Sequence, residues 1–150
     1  MSDNYLRLIP TDPTWQPGAD EARRAVAALW PFVPAAESID VERYDEVRFI
    51  DPGANFERVS CPTCRADLAT VWWTGQMEQA AVSGFTNLTV LPPCCGTPAS
   101  LNDLGYDWPA GFARAELSVV NPNRGRLDDA ELARVTTALG HPLRQVMAHQ

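Results

Sequence analysis

FARAELSVVNPNRGRLDDAELARVTTALGHPLRQVMA, residues 112–148, carries the plainest local grammar of the chain. In its first part Phe112, Arg114, Glu116 and Ser118 alternate with Ala113, Ala115, Leu117 and Val119, a period of two that predicts a strand over 112–120. Asn121-Pro122-Asn123 ends it. Asp128 then stands where a helix N-cap belongs, with Glu131 at the third helical position to complete a capping box. Leu127 and Leu132 occupy the two staple positions around that cap, and Leu132, Val135 and Leu139 form an apolar stripe. Gly140 fits the left-handed residue that closes a helix, and Pro142 prevents continuation. A last strand follows over 143–148.

The front of the chain repeats this order. Tyr5 to Ile9 reads as a strand, and Asp12 to Gly18 is a proline-rich connection. A helix is expected over 19–30, with Ala22, Ala25, Val26, Leu29 and Trp30 on one face and Asp20 and Glu21 at its positive end. Pro31 and Pro34 stop it. A second strand is expected over 39–50, closed by Asp51-Pro52-Gly53. Strand, helix, strand at each end is the order of a split βαβ, ferredoxin-like sandwich in an α+β protein. One domain spans 1–150 on this reading, and residues 56–98 form an insertion between its halves.

That insertion holds all four cysteines, in two tight groups: Cys61-Pro-Thr-Cys64 and Pro92-Pro93-Cys94-Cys95-Gly96. Two residues between cysteines let both sulfurs turn to one point. A tetrahedral zinc ion takes four such ligands. Between the groups, strands are expected over 68–73 and 85–91 and a helix over 74–83, with Gly84 as its stop. Adjacent side chains on an extended segment point to opposite faces. Cys94 and Cys95 therefore reach one ion only if the backbone turns sharply, which Pro92, Pro93 and Gly96 allow. With Cys94 turned away, the fourth ligand would be His141, His149, Asp67 or water. Without metal, the four would be buried apolar thiols.

The two groups resemble the paired cysteine knuckles of zinc-ribbon proteins over residues 56–98. Cys61 to Cys64 follows the CPxC form, and Gly96 follows the last cysteine as in such knuckles. The second group departs from the pattern in having its cysteines side by side. The resemblance implies a structural Zn2+ held by Cys61, Cys64, Cys94 and Cys95, and carries no function with it.

Composition narrows the rest. The net charge is −7, and all 12 basic residues are arginine. Nucleic-acid binding draws on clustered positive charge. Arg23-Arg24 and Arg124-Gly-Arg126 are too small a footprint for it. No apolar run is long enough for a membrane span. MSDNYLRLIP has no secretory leader pattern, so a reducing cytoplasm is expected, where clustered cysteines bind metal or do redox chemistry. A thiol–disulfide oxidoreductase using Cys61 and Cys64 is the enzymatic rival, with Arg65 adding positive charge. Two histidines and no hydrolase motif leave hydrolysis without machinery. Asn102, Asp103, Tyr106 and Trp108 form a polar–aromatic loop that reads either as a recognition surface or as a loop anchored by Leu101, Leu104 and Tyr106. The expectation is a non-enzymatic, zinc-stabilised protein of bacterial type. Its partner would be another protein, of basic character, and its role toxin-neutralising or regulatory.

Overall fold

The computed structural model describes residues 3–53 and 57–149. Its main sheet has four strands: β1 (Asn4–Pro10), β2 (Ser38–Ile50), β8 (Gly111–Val120) and β9 (Leu143–His149). They lie in the order β2-β8-β1-β9, and every neighbouring pair is antiparallel. Helix α1 (Ala19–Leu29) links β1 to β2, and α3 (Asp129–Leu139) links β8 to β9. The two helices pack on each other over one face of the sheet. Leu6 and Leu8 of β1, Leu117 and Val119 of β8, Ala25 and Leu29 of α1, and Val135 and Leu139 of α3 make that core. The protein is thus α+β, with antiparallel sheets.

The α3 segment folds as its sequence dictates. The Asp128 side chain accepts from the Glu131 N–H at 2.8 Å, and the Glu131 carboxylate accepts from the Asp128 N–H at 3.0 Å. Leu127 is buried beside half-buried Leu132. Gly140 closes the helix with φ 84°. Helix α1 stops at Leu29, and Trp30–Phe32 forms a 3-10 turn instead of a last α-turn because Pro31 has no N–H to donate.

Between β2 and β8 the chain builds two smaller sheets. Strands β3 (Val59–Ser60), β4 (Asp67–Leu68) and β7 (Gly105–Tyr106) form one in the order β4-β3-β7. Strands β5 (Thr89–Val90) and β6 (Ala99–Ser100) form the other. Helix α2 (Thr70–Val82) joins them. The strand expected over 68–73 is therefore confined to Asp67–Leu68, and the helix expected from 74 begins at Thr70. The strand reading fails beyond Leu68 because Trp72, Trp73, Met77 and Ala80 reach one core at helical spacing. The strand expected over 85–91 shrinks to Thr89–Val90: Phe85 stands at φ 58°, and Gly84, the expected helix stop, at φ 66°. The loop expected over 100–111 includes Ser100 of β6, a 3-10 turn at Leu101–Asp103, and β7. Phe56, the first residue of the expected insertion, lies outside the described residues.

This second core joins the cysteine segment to the main sheet. It packs Val59, Cys61, Leu68, Val90, Leu101 and Leu104 against Val47 of β2 and Phe112 of β8. Phe49, Phe85 and Phe112 meet ring to ring at 5.1 and 5.3 Å, centred on Phe112. A register shift between Arg43 and Arg48 lets the β2–β8 ribbon continue past the end of β1 pairing. No helix among the described residues is long and apolar enough to cross a membrane.

Candidate metal centre

Each pair of cysteines sits in a loop closed by two short paired strands. The first loop runs from Cys61 to Ala66 between β3 and β4. The Cys61 N–H donates to the Ala66 carbonyl, and the Arg65 N–H to the Cys61 carbonyl, both at 2.9 Å. Arg65 turns the chain back with φ 63°. The second loop runs from Leu91 to Pro98 between β5 and β6. The Gly96 N–H donates to the Pro92 carbonyl at 2.9 Å, and Gly96 stands at φ 65°.

The same turn is thus built twice, with the same four-residue hydrogen bond and a left-handed fifth residue. Cys61 matches Pro92, Pro62 matches Pro93, Thr63 matches Cys94, Cys64 matches Cys95, and Arg65 matches Gly96. At the first place of the turn the second loop has a buried proline; its cysteine has moved to the third place. Adjacent cysteines therefore share one centre because the fold, not the residue spacing alone, bends between them. Lining up CPTCR with PPCCG on their last cysteine exposes this match in the sequence.

The four sulfurs all lie within 4.8 Å of one another. Cys61 Sγ is 3.7 Å from Cys95 Sγ, and Cys64 Sγ is 3.3 Å from Cys94 Sγ. A tetrahedron of thiolates at about 2.3 Å from zinc has edges of about 3.8 Å. Both spacings fall just below that value, no pair is more than 4.8 Å apart, and the cysteines are free thiols rather than disulfides. Cys61 is 1% exposed and belongs to the second core, whereas the other three are exposed.

The backbone prepares this group for a cation. The Cys64 N–H, joined by that of Thr63, points at the Cys61 sulfur and brings its thiol down to about 6, against the upward push of burial. The Cys94 thiol is pushed up to about 12, first by sharing a hydrogen with the Cys64 sulfur and then by burial. Four thiols this close resist full ionisation, because each thiolate repels the next. A thiophilic cation offsets that repulsion, and thiolate donors favour zinc, copper(I) or iron. The donor set fits a metal ion.

The group contains neither histidine nor Asp67. His141 stacks on Trp15 at 4.3 Å, and its Nδ1 lies 2.9 Å from the Pro142 carbonyl. His149 Nδ1 lies 2.7 Å from Asn4 Oδ1. Cys61 and Cys64 do not open a helix, since β4 separates them from α2.

The polar–aromatic loop divides in two. Asn102 is 7% exposed and works inside the protein: its Oδ1 accepts from the Phe112 N–H at 2.8 Å, and its Nδ2 donates to the Thr11 carbonyl at 3.3 Å. The half-buried Tyr106 hydroxyl donates to the Leu101 carbonyl at 2.6 Å. Asp103 and Trp108 are exposed. Sequence reading missed the positive-φ Arg65, for which a non-glycine residue gives no signal. It also missed Asp107, whose carboxylate accepts from the Trp108 and Glu57 N–H groups at 3.1 and 3.2 Å. Compared with protein-family models, with curated proteins and with solved structures, the chain matches none.

Proposed function

We propose that the protein is a zinc-stabilised, non-enzymatic binding protein of the bacterial cytoplasm, in which Cys61, Cys64, Cys94 and Cys95 hold one structural Zn2+. The observation that carries the metal reading is the convergence of four free sulfurs within 4.8 Å from two separate loops. The repeated turn supports a zinc-ribbon-like module inserted between β2 and β8. The strand order β2-β8-β1-β9, with helices after β1 and β8, supports a ferredoxin-like frame around it. A centre with four protein ligands leaves no open position, so the ion supplies folding free energy rather than catalysis.

The binding role rests on the surface. A net charge of −7 favours a basic protein partner over a nucleic acid, and exposed Trp30 and Trp108 offer aromatic anchors. A toxin-neutralising or regulatory protein has this profile. One observation favours the oxidoreductase reading, the lowered Cys61 thiol. Against it, Cys61 is 1% exposed and cannot meet a substrate disulfide.

Two measurements test the proposal. Elemental analysis of protein purified without added metal returns zinc equimolar with the chain; its absence sinks the metal reading. Capture from the native cell with intact protein returns a basic partner whose retention falls as salt rises. Turnover in an insulin-reduction assay would overturn the non-enzymatic reading.

A further inference from the structure

We propose that Cys64 and Cys94 are a site of oxidative modification, joined across the two loops by a peroxide with loss of the bound metal; this rests on the metal reading above. Three features set the pair apart. At 3.3 Å their sulfurs are closer than those of Cys61 and Cys95, at 3.7 Å. Both are exposed, whereas Cys61 is sealed in the second core. Among the described residues the Cys94 sulfur meets the other three sulfurs and no backbone donor, while Cys61 is held by the N–H groups of Cys64 and Thr63. Cys94 is therefore held less firmly than Cys61.

The chemistry balances with hydrogen peroxide as the oxidant. The exposed Cys64 sulfur, as thiolate, attacks a peroxide oxygen; the O–O bond breaks, the departing hydroxide takes up a proton to leave as water, and a sulfenic acid remains. The Cys94 sulfur, giving up its proton, attacks that sulfur; an S–S bond forms, the S–O bond breaks, and the proton carries the hydroxide away as a second water. Two electrons pass from the sulfur pair to the peroxide. The sulfurs close from 3.3 Å to a bond of about 2.05 Å, a shift that two surface loops absorb. Two thiolates then remain, half of the set a structural zinc requires.

The test uses the full chain as purified, its metal content measured first. One equivalent of hydrogen peroxide is added, remaining thiols are alkylated, and the protein is cleaved after arginine without reduction. Cleavage after Arg58, Arg65 and Arg114 puts Cys61 and Cys64 on one peptide and Cys94 and Cys95 on another. The expected result is one cross-linked pair of peptides, bonded through Cys64 and Cys94, with alkyl groups on Cys61 and Cys95. A chromogenic chelator then reads the loss of metal that accompanies the bond. Internal bonds within either peptide, unlinked alkylated peptides, or metal that stays bound after cross-linking each overturn the proposal. Protein that carries no metal at the start sinks the structural zinc, while the peptide map still decides which sulfurs react.

Discussion

Asn102 shows what a single side chain does in this protein. It ties the turn before β7 to the start of β8, while the Arg144 guanidinium donates to its carbonyl at 2.8 Å and to the Ala110 carbonyl at 3.0 Å. Asn102→Ala leaves the buried Phe112 N–H without its acceptor. It should lower stability by about 1–3 kcal/mol in denaturant unfolding, and Asn102→Asp, which keeps the acceptor, should lose less. Arg124 and Glu131 illustrate a charge effect. Their side chains pair twice, at 2.8 and 2.9 Å, and the guanidinium holds the Glu131 carboxyl at about 2, below its ordinary 4.5. A lowered acid pKa stabilises the fold above the unfolded value and loses that contribution as pH falls toward the folded one. Glu131→Gln should thus lower the melting temperature at neutral pH, with the gap to wild type closing between about 4.5 and 2. The cysteines themselves were legible as a pair of groups. That Cys94 joins the other three was expected, with a fourth ligand from elsewhere as the alternative; spacing alone left the choice open, because it depends on the φ of Gly96 and the bond to Pro92.

At the scale of elements, legibility followed local grammar. Helix α3 carries its start, stop and buried stripe in eleven residues and a cap, so sequence and structure agree there. Removing the cap with Asp128→Ala should cost about 1 kcal/mol, read from thermal unfolding. Helix α2 carries no such grammar. Its N-cap is Ala69 with no side-chain bond, and Val71-Trp72-Trp73 has the residue types of a strand. Tertiary contact decides it: Trp73 Nε1 donates to the Tyr106 hydroxyl at 3.4 Å, and Met77 and Ala80 follow onto the same core. The two-residue strands β3 to β7 were illegible for a related reason. They are held by the loops they close, and no alternation can show in two residues.

Across the described residues, the two larger of three apolar cores divide the labour. The first lies between the helices and the main sheet; the second carries the cysteine loops and meets the sheet at Val47 and Phe112. Metal binding supplies folding free energy where ligands are otherwise unanchored. Chelation under reducing conditions should therefore speed amide hydrogen exchange across 57–106 while leaving β1, α1 and α3 protected. Uniform loss of protection would show instead that the two cores stand or fall together. The ends of the main sheet were legible because strand and helix follow one another locally. The middle was not, since its order comes from contacts between segments far apart in sequence.

The pairing of β1 with β9 has a mechanical consequence. Asn4 faces His149 and Pro10 faces Leu143, so the outermost residues of the sheet leave it side by side at one end. A force applied to both would load the ladder one rung at a time, like opening a zip, rather than shearing all rungs together. The two strands would separate at low tension, and the His149 handle, whose N–H also donates to the Pro52 carbonyl at 3.3 Å, would tug on the chain just ahead of the cysteine segment from the first rung onward.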